Sequence, residues 1–385
     1  MSMTVYDEFE IRRTMFLNTH ETEAWWLERM LDKANMVTSY KAYWMMSIID
    51  IITEKEECVI SFEQIVNKMI THAWYPVVTY KLSFGIQDRL SHLVLYLNEK
   101  YPFLNEYKQD KLLVFICSSD QLKMDKYFIN KRKELYQMVP YRLLSPFFRE
   151  ATRGVKDQKK NRMIVDLAFE SSESMYVIDA FSIRVRTNWM DYINRNQAII
   201  KGWIQYKLIL YLQARNPNVP NIPMKLKPPG VRNLTAAKKF WKSVSETRVI
   251  TDIYTGKLLN SVNYEAHGEL SIDHFIPWSF VSHDEFWNLC PTFNHINSAK
   301  NDALPSLDKY LDKYCDLHYF AINELKIQGK RKILEDYYTI GNEEMIHVLS
   351  LEDSISRYVV ESSLMKSIKP IHQIALNQGF RIWEK

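Results

Sequence analysis

Four polar residues at set distances from one another are of the types that hydrolytic chemistry uses. His274 directly follows Asp273, Asn288 lies fourteen residues after His274, and Asn297 lies nine residues after Asn288. A neutral imidazole can take a proton from water, and carboxylate and amide oxygens are ligands that Mg²⁺ and Mn²⁺ prefer. Residues of these types could hydrolyse a phosphodiester with the help of one divalent ion.

Short elements must hold these residues in place. The run 270–272 predicts a strand that ends at Asp273 and His274. A turn and a loop follow as far as Asn288, and the polar segment 294–302 predicts one short helix. Neighbouring side chains of an extended segment point to opposite faces, so Asp273 and His274 are expected to face apart.

The whole pattern is more specific than any one of its residues. It reads Asp-His-x-x-Pro, then Asn-Leu, then Asn-x-x-Lys ending at Lys300. This order resembles that of the HNH endonucleases, also called His-Me finger or ββα-metal nucleases. The spacing is closest to that of the HNH domains of CRISPR effector nucleases, in which Asn replaces the last His. The resemblance covers residues 251–305, about one seventh of the chain.

The resemblance implies a role for each residue. Asp273 and Asn297 would bind the metal ion, and His274 would be the general base that takes the proton of the attacking water. Asn288 would brace the loop that carries the base. Lys300, which lies on the same helical face as Asn297, would contact a phosphate. Mg²⁺ or Mn²⁺ is the implied cofactor.

The segment departs from many HNH relatives because paired Cys-x-x-Cys motifs are missing. Residues 254–257 look like the family's Tyr-(Thr/Ser)-Gly start of the first strand, but Asp252 and Ile253 stand where a Cys would be. A structural zinc ion is therefore not expected. His295 is an alternative metal ligand, but it lies about 200° around a helix from Asn297, so both cannot face one ion. The spacing favours Asn297.

The composition is that of a folded protein without a strong overall attraction for a polyanion. Of the 385 residues, 46% are hydrophobic, and the net charge is only +4, so any basic surface must be local. The four cysteines have no repeating spacing, which fits a reducing compartment. The first residues do not resemble a signal peptide, and no apolar run is long enough to cross a membrane. These features predict a cytoplasmic protein.

Helical periodicity dominates the chain, and the predicted class is α+β, predominantly α-helical. The chain has only nine glycines, and patterns of strand, turn and strand are scarce. Ser61 is expected to cap one helix, with Gln64 completing a capping box. Helices are predicted over 21–34, 40–52, 62–73, 307–325 and 345–365, and over 189–212 as either one long helix or two.

Shifts in composition divide the chain into four expected parts. Three prolines spaced three residues apart follow Asn216 and predict a stiff connector, which is the main expected boundary. The expected parts are an N-terminal helical domain over 1–160, a helical connector over 161–222, a basic lead-in with the HNH nuclease domain over 223–310, and a C-terminal helical region over 311–385.

Basic residues crowd the segment that leads into the HNH pattern. Lys238, Lys239 and Lys242 lie close together, and Lys225 belongs to the same group by sequence. Neutralising phosphates needs cations without a fixed geometry, so these lysines are expected to follow a nucleic-acid backbone. The aromatic pair at 240–241 is expected to pack in the core, with stacking on a base as the alternative.

Three functions agree with these features. The first is a metal-dependent DNA endonuclease that serves as the nuclease effector of a bacterial anti-phage defence system. The second is a restriction or mobile-element nuclease, and the third is a nucleic-acid-binding protein that retains the finger without catalysis. We favour the first because no helix-turn-helix or specificity repeat marks the second. The expected partners are the DNA substrate and either a defence-system protein or a second copy of the chain, with no membrane.

Overall fold

Helices make up most of the chain, and two small antiparallel sheets complete it, so the predicted α+β, predominantly α-helical class is confirmed. A computed structural model describes residues 22–32, 36–341, 343–350 and 355–384. One compact unit contains the residues up to Pro217 with Lys225–Pro228, and the other contains Asn218–Met224 with Pro229–Lys385. The division falls within the proline-rich segment 216–223. The finer division into four parts stays a prediction.

The first unit contains ten α-helices in the described part of the chain. They are α1 Thr22–Met30, α2 Tyr40–Lys55, α3 Phe62–Trp74, α4 Arg89–Lys100, α5 Gln109–Ser118, α6 Asp120–Met124, α7 Lys126–Tyr136, α8 Val139–Leu144, α9 Asp157–Glu170 and α10 Thr187–Arg215.

Helix α2 is the centre of this unit. Most of its residues are buried, because apolar side chains cover nearly all of its sides, and it packs against α3 and α10. The predicted helix over 40–52 is confirmed within α2, and the one over 189–212 is a single helix within α10. Of the helix predicted over 21–34, residues 22–30 are helical in α1, residues 31–32 follow its end, and residues 21, 33 and 34 lie outside the described residues.

A three-stranded sheet lies beside these helices. Its strands are β1 Val59–Ser61, β2 Tyr176–Ile178 and β3 Ser182–Val185, and β3 lies between the other two. Ser61 ends β1 and also caps α3. Its hydroxyl accepts the backbone N–H of Gln64 while the Gln64 side chain accepts the backbone N–H of Ser61, so the predicted capping box is confirmed.

A half-buried ionic cluster joins α2, α3 and α10. The carboxylate of Asp50 lies 2.9 Å from His72 Nε2 and 2.7 Å from Lys201 Nζ. Burial acts to raise the pKa of Asp50, but the hydrogen bonds and charges of His72 and Lys201 outweigh it and lower the pKa to about 2. The charged form of Asp50 therefore stabilises the contact between three helices.

The second unit holds a two-stranded sheet and the remaining helices of the described chain. Strands β4 Leu270–His274 and β5 Leu289–Phe293 pair antiparallel. The helices are α11 Thr235–Thr247, α12 Ser261–His267, α13 Trp278–Val281, α14 Asn294–Lys300, α15 Leu307–Ile327, α16 Arg331–Leu334, α17 Glu343–Ser350 and α18 Arg357–Asn377.

Helix α14 follows β5 directly and packs against β4, which completes a ββα arrangement. Gly268, between α12 and β4, has a positive φ of 80°. A Cβ at this position would lie 3.1 Å from the His295 ring and 3.2 Å from Asn294 Cβ. Glycine is therefore required here by both backbone conformation and space, and it allows α14 to approach the start of β4 closely.

The C-terminal helices support the finger. The predicted helix over 307–325 is confirmed in α15, which packs against α18. The Tyr314 ring in α15 stacks on Phe275 at 3.9 Å between centroids. Of the helix predicted over 345–365, residues 345–350 and 357–365 are helical, and residues 351–354 lie outside the described residues. Within the described ranges, none of the helices has the length and apolar character that crossing a membrane requires.

We predict that Asp50→Asn lowers the free energy of unfolding by about 2 kcal/mol at pH 7, because the carboxylate gains its stabilisation only when charged. Since folding lowers the pKa of Asp50 from 3.8 to about 2, the contribution is fully present above pH 4 and is lost as the pH falls through about 2. Urea unfolding of both proteins at a series of pH values measures the difference.

Glu54→Gln is the matched control one helical turn away, because the Glu54 carboxylate pairs with Lys68 but is half exposed. We expect it to change the free energy of unfolding by less than about 1 kcal/mol. An Asp50→Asn variant as stable as the control at pH 7 would contradict the role of the cluster.

Candidate active site

Strand β4 carries two of the predicted site residues on opposite faces. The Asp273 carboxylate contacts Tyr254 and Lys300. The His274 imidazole contacts Asp284 instead. The alternation of side chains along a strand produces this separation, and it gives the two neighbours different surroundings.

The Asp273 carboxylate is buried, with 2% of the residue exposed, and it is bound by two donors. Lys300 Nζ lies 3.1 Å from Oδ1 and 3.0 Å from Oδ2, and the Tyr254 hydroxyl donates to Oδ2 at 2.5 Å. Burial, together with the charge of Asp273, raises the pKa of Tyr254 well above its ordinary value. Tyr254 therefore keeps its proton and remains a donor to the carboxylate.

The ammonium group of Lys300 has two partners within the protein. Besides Asp273, its ammonium group donates to the backbone carbonyl of His274 at 2.9 Å, and only 1% of the residue is exposed. The sequence predicted a phosphate contact for Lys300. That contact stays a prediction, whereas the observed role of the side chain is to join α14 to β4.

Asn297 in α14 is held by its amide nitrogen. Nδ2 donates to the hydroxyl of Ser271 at 2.8 Å and to the carbonyl of Ile272 at 3.1 Å. Within the described ranges its amide oxygen Oδ1 makes no hydrogen bond to protein. The oxygen is therefore anchored in orientation next to β4 and available to a ligand.

The side-chain oxygens of Asp273 and Asn297 are of the types that bind a hard divalent ion. A carboxylate has about four acceptor positions, and the contacts from Lys300 and Tyr254 to Asp273 occupy three of them. One acceptor position of Asp273 and the amide oxygen of Asn297 are thus not taken by protein donors. Mg²⁺ is often bound by only one or two protein side chains, with water and phosphate oxygens as its other ligands. No group of three or more His, Cys, Asp or Glu side chains that could hold a metal occurs among the described residues.

His295, the alternative ligand by sequence, lies on a different side of α14. Its ring is exposed and lies beside Gly268. The structure brings Asn297, rather than His295, into hydrogen-bonding contact with β4. The choice between them as metal ligands remains a prediction.

His274 is 4% exposed, and one of its ring nitrogens has a carboxylate partner. Nε2 lies 2.9 Å from Asp284 Oδ1, while Asp284 Oδ2 accepts the backbone N–H of Asn233 at 2.9 Å. Burial acts to raise the pKa of Asp284, but the hydrogen bonds from His274 and Asn233 outweigh it and lower the pKa. The carboxylate therefore stays charged beside the imidazole.

Asn288 fastens the loop that leaves β4. Its amide accepts the backbone N–H of Ile276 at 2.8 Å and donates to the Ile276 carbonyl at 2.8 Å. The backbone carbonyl of Asn288 accepts the N–H of Phe275 at 2.9 Å. Asn288 is fully buried, so these bonds satisfy groups that water cannot reach. The contacts are those expected of a residue that braces the base, although its effect on catalysis stays a prediction.

Asp252 organises the turn that precedes α12. Its carboxylate accepts the backbone N–H of Thr255 at 2.9 Å and the Thr255 hydroxyl at 2.6 Å. Its backbone carbonyl accepts the N–H of Gly256 at 2.8 Å. Hydrogen bonds accepted by the buried Asp252 thus close this turn.

The basic lysines lie on the outer face of α11. Lys238, Lys239 and Lys242 are exposed, and no carboxylate of the described chain lies within salt-bridge distance of them. The aromatic pair at 240–241 faces inward and packs against Phe286, so it belongs to the core as expected. The inner face of α11 contacts β4 and β5, which places the lysines on a helix of the site itself.

Lys225 does not extend this basic surface. It is fully buried, and burial lowers its pKa to about 7. It also belongs to the first compact unit, whereas α11 belongs to the second. Grouping Lys225 with the lysines of α11 was therefore wrong, because the chain changes unit between them.

Tyr254 and Asp284 are the site residues that the sequence did not reveal. Tyr254 was read as part of the turn before the first strand, and nothing in its spacing indicates a bond to Asp273. Asp284 stands beside Glu285 in the loop between β4 and β5. An acidic residue in that loop is a signal, but the sequence cannot choose between two neighbours.

We predict that Lys300→Met lowers the free energy of unfolding by about 3 kcal/mol or more, because it leaves the Asp273 carboxylate buried without its counter-charge. Thermal or urea unfolding measures the loss. Lys242→Met is the control, since this exposed lysine should change stability by no more than about 0.5 kcal/mol.

A different result would support the predicted contact between Lys300 and a phosphate. If Lys300→Met folds as stably as the wild type and only weakens DNA binding, the ammonium group serves the substrate rather than the fold.

The comparison with known proteins agrees with this geometry. Residues 252–306 match the family model of HNH endonucleases, and this range includes Tyr254, both strands and α14. No significant match was found among curated proteins or among solved structures. The particular closeness to CRISPR effector nucleases stays a prediction. The segment 252–306 therefore carries an HNH endonuclease domain, which suggests nuclease activity on nucleic acid.

Proposed function

We propose that the protein is a metal-dependent endonuclease that hydrolyses phosphodiester bonds in DNA. The observation that carries the proposal is the arrangement around β4. There, an imidazole and a carboxylate leave opposite faces of one strand, and the Asn297 amide of α14 is bonded to the backbone of that strand at Ile272, the residue before the carboxylate. The family match of residues 252–306 supports the same reaction class.

His274 would act as the general base. Its Nε2 is bonded to Asp284, and Nδ1 makes no hydrogen bond within the described part of the protein. Nδ1 would take the proton of the attacking water. Asn288 would support this step by holding the backbone at Ile276, two residues after the base.

Asp273 and Asn297 would hold a Mg²⁺ or Mn²⁺ ion. When bound, such an ion supplies charge stabilisation for the phosphorane oxygens and for the departing 3′ oxygen. Lys300 and Tyr254 hold the carboxylate of Asp273 in one orientation.

The exposed lysines of α11 would bind the phosphate backbone. Lys238, Lys239 and Lys242 have no ion-pair partner in the described chain to compete with phosphate. Such contacts position DNA without reading its sequence. The biological setting that we propose is the nuclease effector of a bacterial anti-phage defence system, with the helical unit receiving a partner or DNA.

We predict that the full-length protein nicks supercoiled plasmid in Mg²⁺ or Mn²⁺ and loses all cleavage in EDTA. Since one finger cuts one strand, relaxed circles should appear before linear DNA on agarose gels. His274→Ala should lower the rate by about 100-fold or more, because it deletes only the base. Its Mn²⁺ binding, measured by calorimetry, should remain.

Two further variants separate the metal ligands from their neighbour. Asn297→Ala should weaken Mn²⁺ binding, whereas His295→Ala should leave both binding and cleavage near the wild-type level. The reverse order would show that His295 is the ligand. Intact DNA binding without cleavage under any metal condition would support a non-catalytic protein instead.

We predict that replacing Lys238, Lys239 and Lys242 together by Ala weakens duplex binding and reduces its salt dependence. Each lost phosphate contact should reduce the slope of log K against log salt by about 0.9, or by about 2 to 3 for the triple variant. Fluorescence anisotropy at several salt concentrations gives the slope.

Replacement of Lys330, Arg331 and Lys332 by Ala is the matched control. These residues are also exposed and carry the same total charge on another part of the second unit. If both triple variants change the slope equally, the effect comes from net charge and α11 is not the DNA-binding helix.

A further inference from the structure

The carboxylate of Asp284 bonds a backbone N–H with one oxygen and the His274 ring with the other. Oδ2 accepts the backbone N–H of Asn233, in the segment just before α11, at 2.9 Å. Oδ1 lies 2.9 Å from Nε2 of His274. The backbone bond determines which way the carboxylate faces, so the direction of Oδ1 toward the imidazole is also determined.

This arrangement decides where the imidazole carries its proton. A carboxylate has acceptors only, so the bond to Asp284 requires a proton on Nε2 of His274. In the neutral ring Nδ1 then holds the lone pair. Since the structure has no hydrogen bond to Nδ1 in the described ranges, this nitrogen is the one available to a water molecule.

We propose that Asp284 is a positioning residue that holds His274 in the tautomer with the proton on Nε2 and directs Nδ1 toward the attacking water. The catalytic consequence rests on the proposed nuclease function. The tautomer does not, because it can be measured without any cleavage.

The backbone N–H of Asn233 determines how the side chain of an Asp284→Asn variant must be oriented. In Asp284→Asn the backbone N–H of Asn233 must still be accepted, and only the amide oxygen can accept it. The amide NH₂ group then faces Nε2 and donates to it, which moves the ring proton to Nδ1 and removes the base. A residue that served only packing would show the opposite, since Asn has nearly the shape of Asp and should be milder than Ala.

The activity test compares kcat of the two variants on plasmid DNA in Mg²⁺. We expect Asp284→Ala to lower kcat about 10- to 100-fold, because both tautomers become available. Asp284→Asn should lower kcat by about 100-fold or more. Duplex affinity should not weaken in either variant. Asp302→Asn, which removes an exposed charge from the same unit, is the control and should cleave like the wild type. An Asn variant more active than the Ala variant overturns the proposal.

The second readout is the ¹⁵N–¹H spectrum of the imidazole in histidine-labelled protein at about pH 8, where an ordinary imidazole is neutral. Signals that disappear in His274→Ala are assigned to this ring. We expect a proton on Nε2 in the wild type and on Nδ1 in Asp284→Asn, and a wild-type ring protonated on Nδ1 overturns the proposal. If the wild type cleaves nothing, the nuclease proposal fails, and the spectrum alone decides whether Asp284 positions the ring.

Discussion

The buried ion pair between Lys300 and Asp273 is the interaction on which the geometry of the finger depends. It joins the last residue of α14 to β4, and the same ammonium group binds the carbonyl of His274. A buried pair is tolerated only when both charges have partners, and here Tyr254 adds a donor to the carboxylate. Because the helix is fastened at Lys300, Asn297 one turn earlier is brought against the backbone of β4.

Two carboxylates of the candidate site lie on opposite faces of β4: Asp273 belongs to the strand, and Asp284 contacts His274 from the following loop. Asp273 has a cation and a hydroxyl as partners, whereas Asp284 has an imidazole and a backbone amide. The strand separates them, so their charges do not share one partner. In the proposed mechanism, one face would offer oxygen atoms to a cation while the other face would control the proton of the His274 ring.

Buried contacts hold the loop between β4 and β5 at several points. Asn288 bonds both polar groups of Ile276, and Phe275 stacks on Tyr314 of α15. The hydroxyl of Tyr314 donates to the carbonyl of Trp287 at 2.5 Å. A base such as the one proposed for His274 is effective only if its neighbours hold it in one orientation. The C-terminal helices thus support the candidate site although none of their side chains belongs to the motif.

The sequence by itself determined the class of fold, the capping box at Ser61, the HNH pattern over 251–305 and the opposed faces of Asp273 and His274. These are properties of short segments, where the period of a helix or strand and the spacing of a motif carry the information. Tertiary structure alone decided that Lys300 is buried against Asp273, that Tyr254 bonds the same carboxylate and that Asp284 reaches His274. It also separated Lys225 from the lysines of α11. Each of these contacts joins residues on different elements, and which donor meets which acceptor depends on how those elements pack, a relation that no local pattern encodes.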